Sequence, residues 1–210
     1  MLVVAFDGLL FNTLEYRARA IVEAMHHESL TVSTEQALAA LPSRSIAEAV
    51  REIQGNLSPL AADIDETTLD LVVLRADRAL AGLASSGASL NVKLGERIRR
   101  AASITRIVLR ADSRRREVDE LLRLTELDAL VAMTRCSDDA ANVHRSELND
   151  STLRRSYDQI VTRMAANRNL LGNASGIGIA LELTSGARET AREFGFQAPD
   201  NFESAAFPGA

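Results

Sequence analysis

The sequence predicts an α/β protein built on a parallel sheet, and two patterns carry this prediction. Near the start, the apolar run Leu2–Phe6 ends in the dipeptide Asp7-Gly8, and an Asn-Thr pair follows. This is the order of a buried strand, a tight loop and the start of a helix. From about residue 94, short apolar segments alternate with segments of helical periodicity. Strands that alternate with helices form βαβ units, whose sheets are parallel.

The middle of the chain is predicted to be entirely helical. Its apolar residues recur at helical spacing, Ser33-Thr34 before Glu-Gln has the composition of a helix N-cap, and clusters of Gly and Ser bound the segment. The helical stretches are Tyr16–His27, a segment from Thr34, Ser45–Ile53 and Glu66–Leu83, with a break at Gly55–Pro59 and a hinge at Ser85–Ser89.

The last part of the chain contains the remaining predicted strands and helices. The strands are Ile104–Leu109, Ala129–Met133 and Ile177–Leu183, and the helices are Gly95–Ala102, Ser113–Leu124, Thr152–Ala166 and Ala187–Phe194. The tail from Gln197 to Ala210 has two prolines and little periodicity, which predicts irregular structure.

Composition excludes several functional classes. A net charge of -5 and a pI near 5.3 argue against a general nucleic-acid binder. No apolar run approaches the ~20 residues of a membrane helix, and the N-terminus lacks the basic segment of a signal peptide. Cys136 is the single cysteine, so an intrachain disulfide is excluded. We therefore expect a cytoplasmic protein with no nucleic-acid or membrane partner.

The start of the chain resembles the first motif of the haloacid dehalogenase (HAD) superfamily, Asp-x-Asp-Gly-Thr/Val-Leu-x-Asp-Thr. Asp7, Gly8, Leu10 and Thr13 match this motif. Leu41–Ser45 is similar to a Gly-Arg-Ser-type loop in the helical cap of the same superfamily.

The order of strand, helical segment and βαβ core resembles the branch of β-phosphoglucomutase and the CbbY-type sugar-phosphate phosphatases. The resemblance implies a HAD-like Rossmannoid core of residues 1–13 and 90–210, with an inserted all-helical cap of residues 14–89.

The catalytic residues of the first motif are altered. In such enzymes one aspartate attacks phosphorus, a second aspartate two residues on is the general acid and base, and Mg²⁺ screens the phosphate charge. The nucleophile position is Ala5, which can neither attack phosphorus nor bind Mg²⁺. Asp7 retains the acid/base position as a vestige.

The second and third motifs depart from the family as well. The second motif should place a Thr or Ser within Leu109–Ala111, which has no hydroxyl, and Ser113 is the nearest one. The third should place a lysine near Arg145, where there is none. An arginine supplies a charge there, although a guanidinium and an ammonium are not equivalent.

The fourth motif lacks its acidic metal ligand. Glu182 matches the glutamate of the family motif, and the metal-binding aspartate that follows it is replaced by Leu183. A rival placement puts Asn173 and Gly176 at the two acidic positions. Either placement predicts that no metal is bound.

Together the four altered motifs predict a pseudoenzyme, a catalytically degenerate HAD-like protein that acts by binding a protein partner or a small anion. The candidate ligand-binding residues are Arg110, Ser113, Arg145 and Glu182. Arg110 would lie at the carboxyl end of a strand, where it could hold a phosphate or carboxylate; the alternative is that it pairs with Asp7 or Glu182 and closes the pocket.

Two other functions are also compatible with the sequence. One is a Mg²⁺-dependent phosphatase or phosphoglucomutase-like enzyme for small phosphorylated metabolites. The other is a purely structural or oligomer-forming protein without a ligand.

Overall fold

Four parallel strands form one sheet at the centre of the protein. The computed structural model describes residues 1–57, 64–82, 87–140, 151–166 and 178–201. The strands are β1 (Leu2–Ala5), β2 (Ile107–Arg110), β3 (Val131–Arg135) and β4 (Ile179–Leu181), and they lie in the order β3-β2-β1-β4. β1 is therefore an inner strand, and its carboxyl end lies between those of β2 and β4.

Eight α-helices are present in the described residues. They are α1 (Leu14–His27), α2 (Thr34–Ala40), α3 (Ile46–Gly55), α4 (Glu66–Ala79), α5 (Val92–Ala101), α6 (Arg115–Leu124), α7 (Thr152–Ala166) and α8 (Ser185–Glu193). None of these helices is both long enough and apolar enough to cross a membrane.

Helices cover both faces of the sheet, which explains why β1 is apolar at every position. Leu2 and Val4 belong to one core cluster, which includes buried residues of α5 and α6. Val3 belongs to a second cluster, which includes buried residues of α7 and α8. Successive side chains of a strand point to opposite faces, and a parallel sheet buried on both faces reads as a continuous apolar run. The sheet and the helices on its two faces therefore form a three-layer α/β/α sandwich.

Residues 14–89, called the helical insert below, contain α1 to α4 and no strand in their described part. The two ends of the insert meet beside the sheet. The backbone N–H of Asn12 donates to Ser89 O, and the N–H of Asn91 donates to Leu10 O. Phe11 and Leu90 form an isolated antiparallel bridge at the same place.

Capping residues position the helices of the insert. Ser33 and Ser45 each begin a helix with a capping box, in which the serine side chain accepts from the third helical N–H and that residue's side chain accepts from the serine N–H. The partner in the second box is Glu48, whose other carboxylate oxygen accepts from the backbone N–H of Thr152 at 2.6 Å. The cap of α3 is therefore also a contact between the insert and α7.

The predicted elements are present, with shifts at their ends. Ile104, predicted within a strand, lies exposed in a turn, because the N–H groups of residues 104 and 105 donate to Ala101 O and close α5. β3 begins two residues later than predicted because Asp128–Leu130 forms a 3₁₀ turn. Residues 58–63, 83–86 and 202–210, where parts of the predicted break, hinge and tail fall, lie outside the described residues.

We expect Ser45→Ala to destabilise the protein by about 1 kcal/mol, because the N-cap hydroxyl and its bond to Glu48 are both lost. Urea unfolding followed by circular dichroism measures this loss. Ser103→Ala, which removes an exposed hydroxyl at a turn, should change the free energy of unfolding by less than about 0.5 kcal/mol. Equal effects of the two substitutions would contradict the structural role given to the α3 cap.

Candidate active site

Three neighbouring strands bring three predicted site residues into one row at the carboxyl edge of the sheet. Ala5 of β1 is in register with Arg110 of β2, and Val4 is in register with Leu181 of β4. Glu182 therefore follows β4 on the other side of Ala5. Strand alternation places Ala5, Arg110 and Glu182 on the face covered by α7 and α8.

Arg110 reaches across β1 to Glu182. Its Nε donates to Glu182 Oε1 at 2.7 Å, and its Nη2 donates to Oε2 at 2.8 Å. Neighbouring strands lie about 4.8 Å apart, so this bidentate bridge spans about 10 Å between backbones. The side chain of the strand that it crosses is Ala5, whose methyl group leaves room for the bridge.

Two more side chains complete the bonding of this bridge. Arg110 Nη1 donates to Asp112 Oδ1 at 2.6 Å, and the hydroxyl of Tyr157 on α7 donates to Glu182 Oε1 at 2.6 Å. Arg110 is 1% exposed and Glu182 is 5% exposed. The arrangement is a buried network in which one guanidinium donates hydrogen bonds to two carboxyl groups.

The pKa values of Arg110, Asp112 and Tyr157 are all raised, each by a different combination of burial and neighbouring charge. Burial acts to lower the pKa of Arg110, but Asp112 and Glu182 outweigh it and raise that pKa well above its ordinary value. Burial raises the pKa of Asp112 to about 6, against the opposing effect of Arg110. Burial and the negative charge of Glu182 raise the pKa of the Tyr157 hydroxyl, so it stays a donor. Arg110 thus remains a fixed cation at every physiological pH.

Asp7 ties the loop after β1 to the residues after β2. Its Oδ1 accepts from the hydroxyls of Thr13 at 2.7 Å and Ser113 at 2.5 Å. Its Oδ2 accepts from the backbone N–H groups of Asp112 at 2.7 Å and Ser113 at 3.0 Å. Burial acts to raise the pKa of Asp7, but Arg17 and these hydrogen bonds outweigh it and lower that pKa. Asp7 is therefore an ionised carboxylate, and both of its oxygens accept hydrogen bonds from buried groups.

Arg17 on α1 is a buried cation that sequence reasoning missed. Its Nη1 lies 3.8 Å from Asp7 Oδ1, and its Nη2 donates to the backbone oxygens of Arg44 at 2.8 Å and Asp112 at 3.2 Å. One signal was available, because Arg17 lies at helical spacing with the buried residues Ile21 and Ala24. A charge on the apolar stripe of a helix marks a residue that must find buried partners.

Leu183, at the position of the missing acidic ligand, packs against the loop that follows β1. Gly8 has a φ of +76°, and a Cβ placed there would lie 2.7 Å from a methyl carbon of Leu14 and 2.8 Å from one of Leu183. Only glycine fits this conformation and this approach. An apolar contact therefore fills the space beside the Asp-Gly turn.

The residues at this edge do not fit Mg²⁺. This ion is held by oxygen ligands, most often carboxylates. Ala5 and Leu183 offer none, both oxygens of Glu182 bind Arg110, and both oxygens of Asp7 are bonded as described. Among the described residues, no group of three or more His, Cys, Asp and Glu side chains is placed to hold a metal ion.

The predicted ligand-binding residues are thus placed as follows. Arg110 and Glu182 bind each other, which is the alternative that the sequence left open for Arg110, and Ser113 binds Asp7. Arg145, Asn173 and Gly176 lie outside the described residues. Arg17, Asp112 and Tyr157 also belong to the site, although no motif of the sequence marks them as site residues.

Comparison with solved structures identifies the fold. A predicted phosphoglycolate phosphatase from Haemophilus somnus aligns with a TM-score of 0.71 and 10% identity over 94% of this chain and 83% of its own. CbbY from Rhodobacter sphaeroides, solved with phosphate, aligns with a TM-score of 0.68 and 13% identity over 100% and 90%. A HAD-like hydrolase from Streptococcus pneumoniae aligns with a TM-score of 0.62 and 12% identity over 94% and 81%.

This protein therefore has the fold of the HAD-like hydrolases, a Rossmannoid α/β core, and the predicted fold is confirmed. The fold is shared with CbbY, a member of the branch that the sequence resembles. No family model matches the chain, and no curated protein matches its sequence. Identities this low establish the fold and leave activity to be argued from the site.

Substitutions at Ala5 test whether the bridge needs a small residue beneath it. Ala5→Asn should cost about 1–3 kcal/mol, because the added atoms overlap the Arg110–Glu182 bridge. Ala5→Asp should cost more at pH 8, because it adds a buried charge beside Glu182. The difference between the two should shrink at pH 5, as the new carboxyl takes up a proton. Thermal and urea unfolding at both pH values measure these effects.

The same Ala5→Asp protein should show no phosphatase activity, because the new carboxylate has neither a metal ion nor a free cation beside it. An Ala5→Asp protein as stable as the wild type, or one that hydrolyses phosphate esters, would contradict this description of the site.

Proposed function

We propose that this protein is a HAD-fold pseudoenzyme, which hydrolyses no phosphate ester and acts by binding a protein partner or a small anion. The observation that supports it best is the buried Arg110–Glu182 bridge across Ala5. The bridge lies over Ala5, where the attacking carboxylate is missing, and it engages both oxygens of Glu182 beside Leu183, where the metal-binding carboxylate is missing.

The bridge also gives the buried carboxylate of Glu182 a cation. A buried carboxylate without a cation is strongly disfavoured. Glu182 meets this need with a guanidinium that is part of the chain and is charged at every physiological pH. We therefore propose that the protein folds and works without Mg²⁺.

The Arg110–Glu182 bridge blocks the carboxyl edge of the sheet at Ala5, and this part of the sheet is called the blocked edge. We propose that a ligand of this protein binds elsewhere. CbbY has been solved in complex with phosphate, and a mutant of it in complex with xylulose 1,5-bisphosphate. For a phosphate group to bind between Arg110 and Asp7 here, it would have to break the bidentate bridge and displace the hydrogen bonds of Asp7. Arg110 already donates to Glu182 and Asp112, and the hydroxyl of Ser113 already donates to Asp7.

The catalytic half of the proposal is tested by assays on sugar phosphates and p-nitrophenyl phosphate with and without Mg²⁺. We expect no Mg²⁺-dependent turnover above background. Asp7→Asn is the control, since it removes the retained carboxylate with little change in size. Turnover in the wild type that Asp7→Asn abolishes would overturn the proposal and favour a Mg²⁺-dependent phosphatase or phosphomutase.

The binding half is tested by titrating inorganic phosphate and sugar phosphates against thermal unfolding at constant ionic strength. A ligand at a hundred times its Kd stabilises a protein by about 2.7 kcal/mol. A shift that Arg110→Lys retains would support an anion site elsewhere on the protein. A shift that Arg110→Lys abolishes would place the anion at the blocked edge and overturn this part of the proposal. No shift favours the protein partner.

A further inference from the structure

A cavity of about 110 Å³ lies where β4 ends, between the loop after β1, the helix α8 and residues 199–201. The chain after α8 supplies one wall because it returns along β4, where the N–H of Ala180 donates to Gln197 O and the N–H of Gln197 donates to Gly178 O. A space of about 15 Å³ is enough for one water molecule. This space, called the β4 cavity below, is therefore large enough for a small organic ligand.

The lining of the β4 cavity combines apolar side chains with one cation. The apolar side chains are those of Leu9, Leu181, Leu183 and Pro199. The cation is Arg188 of α8, whose side chain is 17% exposed. Two carboxyl groups also belong to the lining, but both oxygens of Glu182 bind Arg110, and the side chain of Asp200 is 86% exposed.

Arg188 is mostly buried and makes only long contacts. Its Nη1 donates to the backbone oxygens of Glu182 at 3.5 Å and Leu183 at 3.4 Å. Its Nε is buried, lies 3.5 Å from Asp200 Oδ1 and has no hydrogen-bond partner among the described residues. Well-made N–H···O bonds are about 2.7–3.2 Å long, as the bonds from Arg110 to Glu182 are. A cation removed from water without a close acceptor is unfavourable, so Arg188 favours a bound anion.

Asp200 is a weak partner for Arg188. Its Oδ1 also lies 3.3 Å from Nη2 of Arg192, one helical turn further along α8, and Arg192 is not part of the cavity lining. Ion pairs with an exposed partner contribute little, because water competes for both charges. A carboxylate that enters the β4 cavity can therefore displace Asp200 from Arg188, and Asp200 keeps Arg192 as its partner.

We propose that the β4 cavity binds a small monocarboxylate with a short apolar chain, whose oxygens accept from Nε and a terminal nitrogen of Arg188 while its chain packs against Leu9 and Leu183. A guanidinium can bind a carboxylate through two parallel N–H···O bonds. One cation matches one negative charge, whereas a phosphate monoester carries about 1.5 to 2 at pH 7. This inference rests on the proposed function, because it names the class and the place of the small anion.

Titration of ¹⁵N-labelled protein with sodium butyrate at pH 7 and constant ionic strength tests the β4 cavity. We expect the amide signals of Leu183 and Asp200 to shift saturably, with a Kd on the order of 1 mM for a ligand of this size. Acetate should bind about tenfold more weakly, since butyrate removes two more CH₂ groups from water. Butyramide, which has the same shape and no charge, should bind weaker than butyrate by about tenfold or more.

Substitutions on α8 and at Asp200 assign the binding to Arg188. Arg188→Gln should weaken butyrate binding by about tenfold or more, because the charged bidentate contact is lost. Arg192→Gln is the matched control on the same helix, and it should keep the Kd within about threefold of the wild type. Asp200→Asn should tighten binding by about twofold or more, because it removes the carboxylate that competes for Arg188. The Asp200→Asn result keeps the test informative if Arg188→Gln folds poorly.

The β4 cavity is contradicted as a carboxylate site if butyramide binds as tightly as butyrate, or if Arg188→Gln binds butyrate as the wild type does. Acetate that binds as tightly as butyrate would contradict the apolar part of the site. These titrations use no phosphate ester and no change at Arg110. A failure here therefore leaves the phosphatase prediction intact, and turnover in the phosphatase assay would overturn the proposed function without changing the butyrate result.

Discussion

A guanidinium that crosses an inner strand to reach a carboxylate is the interaction on which the site depends. Arg110 and Glu182 come from the two neighbours of β1, and their bidentate contact passes over Ala5. The three residues constrain one another. A larger residue at position 5 would meet the bridge, a shorter cation at position 110 would not span the strand bidentately, and a neutral residue at position 182 would leave the cation with Asp112 alone.

Such a bridge is not by itself a strong source of stability. Removing two charges from water carries a large cost, which the mutual attraction offsets only when the hydrogen bonds are well made. Here the two oxygens of Glu182 receive two bonds from Arg110 and a third from Tyr157. The bridge therefore matters for geometry more than for stability, because it joins the ends of β2 and β4 across β1, at an edge where sheets of this kind bind ligands.

The sequence predicted the fold well where one local rule decides the structure. Ser33 caps a helix as the composition around it predicts, and α7 spans Thr152–Ala166 as its periodicity predicts. Strand ends were less predictable, since Ile104 has the side chain of a strand residue but lies in the turn that closes α5. Turn hydrogen bonds from the preceding helix decide that position, and apolar character does not reveal them.

The sequence predicts which residue types occupy the site, but it does not predict which of them form hydrogen bonds with each other. Motif comparison located Ala5, Arg110 and Glu182, yet only the strand register shows that a side chain of β2 can reach across β1. Arg17 and Tyr157 were not assigned to any of the four motifs. Their partners lie 95 and 25 residues away along the chain, and such distant pairs are set by the packing of α1 and α7 on the sheet.

We propose that the Arg110–Glu182 bridge across Ala5 keeps Mg²⁺ and phosphate from binding at this edge of the sheet. The most direct measurement is a high-resolution crystal structure of the protein soaked in Mg²⁺ and phosphate. We expect Arg110 to bind Glu182 through Nε and Nη2 across Ala5 as before, with no metal ion bound to either oxygen of Glu182. A Mg²⁺ ion coordinated by Glu182 or Asp7, with Arg110 displaced toward a bound phosphate, would contradict it.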